Sequence, residues 1–249
     1  MFAYNAQVGC DKHGWALAYS IDAGNVHDSQ AFLALFEQLE RLQSDYLIAD
    51  SGYKTPSIAK FLLDQNITPV FPYTRPRGKK GKLRPKDFIY DDYYDCYLCP
   101  ENQVLAYSTT NRDGYREYKS DPKICAICPL LSSCTESKKK QKVVTRHIWR
   151  EYLEICEEIR HQKGSKELYQ KHKETVERLF GTAKEYHNLR YTREVGKSKM
   201  KAKVGLTLAC LKSASRMIYK QFSISSTASF GAANNLDAAR SNFPVSVFV

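Results

Sequence analysis

Aromatic and aliphatic side chains are dense from Phe2 to Cys10 and again over 15–21, and Asp11-Lys12-His13-Gly14 between them supplies turn chemistry. The pattern predicts an antiparallel hairpin. After a loop at 22–28, Phe32, Leu33, Leu35, Phe36, Leu39 and Leu42 recur at helical spacing, with Ser29 or Asp28 available as the cap. Tyr46-Leu47-Ile48-Ala49 reads as a short buried strand that stops at Asp50-Ser51-Gly52. Residues 55–65 read as a helix opened by Thr55-Pro56, with Ile58, Phe61 and Leu62 on one face, and Thr68-Pro69-Val70-Phe71 as a further strand. Strand and helix alternating after a hairpin predict an α/β fold built on a mixed sheet.

The periodicity breaks at Arg75. From there to Lys86 the chain is too charged and too rich in Pro and Gly to pack, which marks a linker or a loop that contacts phosphate through Arg75, Arg77, Lys79 and Lys80. A Cys- and Tyr-rich stretch over 88–134 follows and closes on the basic run Lys138-Lys139-Lys140-Gln141-Lys142. Helical spacing returns with Ile148, Tyr152, Ile155 and Ile159, stops at Gly164, and resumes behind Ser165 as a cap with Leu168, Tyr169, Val176, Leu179, Phe180 and Ala183. Val204 to Ile218 reads as a last helix, and the Ser-, Ala- and Asn-rich end as a disordered tail. The expected organisation is a first core segment at 1–74, an insert at 75–142, a helical core segment at 143–220 and a tail at 221–249.

Charge and cysteine usage narrow the partners. A formal net charge of +11 favours an anionic polymer. No apolar run approaches the ~20 residues needed to span a bilayer, and the first residues lack the regions of a signal peptide, so the cytoplasm is the expected location. Five of the eight cysteines crowd into 96–134, a spacing that reads as metal ligation in a reducing compartment and gives five candidates for the four places around a structural Zn²⁺. Cys10, Cys156 and Cys210 fall on apolar faces and are expected in the core.

Two carboxylates stand out by position. Asp50 ends an apolar strand, where α/β proteins place reactive groups, although a turn-capping aspartate is the bland alternative. Glu177 borders the apolar stripe of its helix, with Lys173 one turn before it and Lys184 two turns after it on nearly the same face. Carboxylates for a hard cation beside lysines for phosphate are what metal-assisted phosphodiester chemistry requires.

Tyr4-Asn5-Ala6-Gln7, Gly24-Asn25-Val26-His27-Asp28, Ile48-Ala49-Asp50-Ser51-Gly52-Tyr53, the cysteine cluster and Glu177-Arg178-Leu179-Phe180-Gly181-Thr182-Ala183-Lys184 stand in the order found in DDE insertion-sequence transposases. The chain resembles the insertion sequence 1182 group from about Phe2 to about Lys220. The resemblance implies a ribonuclease-H-like core that cleaves DNA and transfers strands with Mg²⁺ or Mn²⁺. Asp50 then matches the second aspartate and Glu177 the glutamate. Lys184 matches the signature lysine, whereas Lys173 stands in place of an Arg and Tyr169 is displaced by one position. For zinc, the resemblance favours Cys99, Cys125, Cys128 and Cys134, with Cys96 in reserve. It also implies element-end and target DNA as partners, and a homo-oligomer or association with a full-length transposase.

Such a core begins with three antiparallel strands, the central one bearing the first aspartate, and only a hairpin is legible ahead of Phe32. The expectation is therefore a ribonuclease-H-like α/β sheet lacking its first strand, poorly stable because its neighbours expose unpaired backbone. Asp11 sits in a tight turn and substitutes poorly. His27 and Asp28 could line the site, with helix capping the favoured role for Asp28. A truncated, catalytically incomplete transposase is expected, with a DNA-binding regulator or inhibitor of the intact enzyme as the alternative.

Overall fold

The computed structural model describes residues 3–75, 79–226 and 246–249, with the backbone alone over 212–226. Arg77 thus lies outside the described residues. The first elements in chain order are β1 (Tyr4–Asp11), β2 (Ala16–Ala23), α1 (Asp28–Leu39), β3 (Tyr46–Ile48), α2 (Pro56–Asp64) and β4 (Thr68–Val70). Next come β5 (Ile89–Asp91), β6 (Cys96–Leu98), β7 (Val104–Thr110), β8 (Tyr115–Lys119), α3 (Pro122–Ala126), α4 (Leu131–Cys134) and β9 (Val143–His147). The chain closes with α5 (Arg150–His161), α6 (Ser165–Tyr186), α7 (Lys197–Ser226) and β10 (Ser246–Phe248). The result is a mixed α/β protein in two compact units, one formed by Met1–Tyr73 with Ile155–Val249 and the other by Thr74–Glu154.

The first unit is a five-stranded sheet in the order β2-β1-β10-β3-β4. β1 pairs antiparallel with β2 and with β10, while β10, β3 and β4 run parallel. Period-2 alternation divides the sheet between two helical layers. Val8, Cys10, Ile21, Ile48, Val70 and Phe248 pack with Ile159, Leu179, Met200, Val204 and Leu208 from α5, α6 and α7. On the opposite side Gly9 lies so close to α1 that a β-carbon there would meet Leu39 Cδ1 at 2.8 Å. Phe32 and Phe36 of α1 stack edge-on against Phe61 of α2 at 6.3 and 5.0 Å, which fixes the two helices on that face.

The position between β1 and β3 is filled by β10, from the stretch assigned to a disordered tail. That assignment is corrected at both its ends: α7 runs to Ser226, and Ser246–Phe248 is a strand, while 227–245 lies outside the described residues. Val-Ser-Val-Phe-Val is too short to show a period, yet Val247, Phe248 and Val249 are 1%, 0% and 6% exposed. Burial of each such side chain stabilises by about 1.5–3 kcal/mol, and the strand also caps the backbone edges of β1 and β3. The sheet therefore has no open row at its centre.

Other local expectations are also revised. α1 is capped by His27, whose Nδ1 accepts from the Ser29 N–H at 3.3 Å, so neither Ser29 nor Asp28 is the cap. Gly164, at φ +93°, precedes α6, and Ser165 inside the helix turns its hydroxyl to the Ile159 carbonyl at 2.6 Å. Cys10 and Cys156 are buried as expected, but Cys210 is exposed because it sits off the Val204–Leu208–Leu211 stripe of α7.

The second unit is an antiparallel meander, β5-β6-β7-β8-β9, each strand paired with the next in sequence. It runs past Lys142 to Glu154, because Val143–His147 forms β9 against β8 rather than leading into a helix, and Ile148 lies in the turn before α5. Its core is small: Phe88, Tyr97, Leu105, Tyr118 and Val144. Tyr118 is fully buried, and its hydroxyl donates to Asp95 Oδ1 at 2.6 Å beside a second donation from Tyr90 at 2.8 Å. Those bonds, that of Tyr118 above all, hold the Asp95 carboxyl below its usual range.

Candidate functional site

Asp50 leaves β3 in an extended conformation and starts the 3₁₀ turn Ser51–Tyr53, whose Tyr53 N–H returns to the Asp50 carbonyl at 3.1 Å. The turn is set by packing on both sides. Tyr53 is buried edge-on to Phe32 at 6.0 Å, and Gly52 lies where a β-carbon would fall 2.5 Å from Asp28 Oδ2. Asp28 also accepts from Asn5 Nδ2 at 2.7 Å. It is therefore a buttress behind the Asp50 turn, not a helix cap. Burial first, then the fields of Asp28 and Asp50, push the Tyr53 hydroxyl pKa up.

The opposite wall is α6. Its inward stripe carries Tyr169, His172, Thr175 and Leu179, and its outer flank carries Lys173, Glu177 and Lys184. The Tyr169 hydroxyl donates to Asp50 Oδ1 at 3.3 Å across 119 residues of sequence. Its pKa rises to about 12, chiefly through burial, then through Asp50 and Glu177. One phenol thus stands in the fields of both carboxylates, and both are solvent-exposed. Tyr169 had looked out of register in the sequence; its contact with Asp50 is invisible without the tertiary fold. His172 was missed altogether, although its spacing on the Tyr169 stripe marked it as inward-facing. It is 1% exposed, with Nε2 2.9 Å from the Val249 carbonyl, and its pKa is lowered by burial.

The lysines divide. Lys173 Nζ lies 3.9 Å from Glu177 Oε1, both largely exposed, so the pair is weak and leaves the lysine able to turn to phosphate. Lys184 Nζ lies 6.0 Å from the centre of the Phe180 ring. In the second unit Arg75 and Lys80 are exposed, while Lys79 is paired to Glu136 at 2.7 Å. Asp11 is occupied in its turn, accepting from the His13 and Trp15 N–H groups at 2.9 and 2.8 Å.

Cys99, Cys125, Cys128 and Cys134 line one cavity of about 30 Å³ in the second unit, with Leu105 and Leu130. Cys96 is buried in β6 and does not line it. Cys99 sits at the β6–β7 turn, where its Sγ accepts from the Gln103 N–H at 3.3 Å. Burial raises the Cys134 thiol pKa; Lys142 opposes this, and the other three cysteines add to it, so the four groups lie within one another's fields. Soft sulfur donors converging on a small, mostly apolar cavity suit Zn²⁺. Exposed carboxylates such as Asp50 and Glu177 suit a hard divalent cation. Among the described residues, however, no group of three or more His, Cys, Asp or Glu side chains is already drawn close enough to hold a metal ion.

Residues 98–212 match the family model described as Transposase DDE domain. The matched stretch contains the four cysteines, Glu177 and both flanking lysines, and leaves Asp50 outside. No curated protein and no solved structure matches the chain. The match supports a DDE-type transposase, with DNA as the implied partner. Among the described residues no helix is long and apolar enough to cross a membrane.

Proposed function

We propose that this chain is a transposase polypeptide of the insertion sequence 1182 kind, whose first unit is a ribonuclease-H-like core acting on element ends and target DNA. The observation that supports the reading is the Tyr169 hydroxyl donating to Asp50 Oδ1, which ties the strand-end carboxylate to α6, the helix that carries Glu177. Asp50 and Glu177 would hold Mg²⁺ or Mn²⁺. When bound, such a cation lowers the pKa of an attacking water or 3′-hydroxyl and offsets charge on the phosphodiester.

The chain's own groups prepare that site. Tyr169 donates to Asp50 Oδ1 and so helps to hold that carboxylate in place. Lys173 and Lys184 flank Glu177 on the exposed side of α6, where they would meet the anionic strand. Arg75, Arg77, Lys79 and Lys80 would give the chain further cationic contacts for DNA. Cys99, Cys125, Cys128 and Cys134 would bind a structural Zn²⁺ that reinforces a core of five buried residues.

Among the described residues Asp50 and Glu177 are two carboxylates where strand cleavage by two cations calls for three, since Asp28 is tied to Asn5 and faces Gly52. DNA and cation binding without cleavage follows, and a chain with those properties also serves as a DNA-binding regulator of an intact transposase. Manganese titration followed by electron paramagnetic resonance, with DNA binding measured in parallel, tests the assignment. Mn²⁺ binding lost in both Asp50→Asn and Glu177→Gln, with DNA binding retained, is the expected result. Mn²⁺ affinity unchanged in either variant would overturn it.

A further inference from the structure

The centre of the first sheet is closed by a segment with no local attachment to either neighbour. β1 and β3 both lie upstream of α7, and β10 reaches them by no hairpin or short crossover. Its pairing is short. Among the described residues β1 meets β10 only at Cys10↔Phe248 and Asp11↔Val247, whereas it pairs with β2 from Tyr4 to Cys10. On the other side Ser246, Val247 and Phe248 align with Tyr46, Leu47 and Ile48, and the Val249 N–H donates to the Ile48 carbonyl at 2.8 Å.

Despite that short ladder, all four residues are buried, Phe248 in the α6–α7 core and Val247 on the opposite face. A strand seated in this way has the form of a bound peptide: main-chain bonds give affinity, and alternate side-chain pockets give selectivity. His172 contacts it twice, through Nε2 at the Val249 carbonyl and through its ring edge-on to Phe248 at 5.5 Å. Its Nδ1 is buried with no partner among the described residues. One turn earlier on α6, Tyr169 holds Asp50, with the Tyr169 and His172 rings 5.5 Å apart. The strand end and Asp50 are therefore served by adjacent side chains of one helix face.

We infer that the slot between β1 and β3 is a binding site for an extended, largely apolar peptide such as Ser-Val-Phe-Val, and that Ser246–Val249 is its resident, releasable ligand. The inference is independent of the DNA reading. It is tested on the full chain carrying a site-specific protease sequence between Ser226 and Ser246. After cutting, the fragment bearing Ser246–Val249 stays with the rest through gel filtration, and excess labelled peptide of residues 243–249 replaces it. The same peptide with Val247→Asp and Phe248→Asp does not. Three results would overturn the inference: the fragment separates with amide protection at Leu47 and Ile48 unchanged; it separates and the peptide fails to rebind; or it stays and never exchanges with excess peptide.

Discussion

Among the described residues the two sheets have five strands each, and they are built in opposite ways. In the second unit every strand pairs with its sequence neighbour, and all but the β8–β9 step close a short loop. In the first unit the central position is taken by residues 246–248, between strands that begin at Tyr4 and Tyr46. Local pairing leaves the second unit with a thin core, and long-range pairing gives the first a core on both faces of its sheet. The first unit is thus expected to depend on one distant segment, and the second on a metal.

The contrast can be broken at either end. The largest effect is expected from metal removal, because structural zinc in small domains carries about 10–16 kcal/mol of binding free energy. Chelation should abolish hydrogen-exchange protection in β5 to β9 and leave β1 to β4 protected; protection unchanged in β5 to β9 would exclude a structural metal. Next is Phe248→Ala, which removes a fully buried ring and should destabilise the first unit by about 3–5 kcal/mol, read by denaturant melting with exchange at β1 and β3. In the second unit Tyr118→Phe removes the bond to Asp95 and should cost about 1.5–3 kcal/mol without altering the first.

Gly52→Ala sharpens the role of the Asp50 turn. Its β-carbon would press on the Asp28 carboxylate, at a cost of about 1–3 kcal/mol, and should weaken Mn²⁺ binding by displacing Asp50. The smallest effect is that of pH. His172 is held below its ordinary value of 6.5, so the unfolded chain binds the proton first as pH falls. Stability of the first unit should be complete above that value. It should then fall by up to about 1.4 kcal/mol per pH unit as pH drops from 6.5 towards the folded-state pKa, and His172→Gln should flatten that slope.

Much of the first unit is legible from pattern: the hairpin, α1 and α6 follow from periodicity, and α2 from periodicity together with its Thr55 cap. β10 is not, because Val-Ser-Val-Phe-Val is too short to carry a period and its partners lie more than half the chain away. β7, β8 and β9 are equally quiet, since Tyr107, Tyr115 and Val143 point outward and blur the alternation that marks a half-buried strand. At the site, Asp50 and Glu177 are visible as a strand end and a helix flank. The contacts of Tyr169 with Asp50 and of Asp28 with Asn5 and the Gly52 turn are not, because they arise only when distant segments meet.

The most direct measurement is Mg²⁺-dependent nicking of DNA bearing the element's ends. On the proposal that Asp50 and Glu177 stand without a third catalytic carboxylate among the described residues, the chain should bind that DNA, with affinity falling steeply as salt rises, and leave it uncut. Nicking that requires Mg²⁺ and disappears in Glu177→Ala would contradict the incompleteness and make this chain a transposase active by itself.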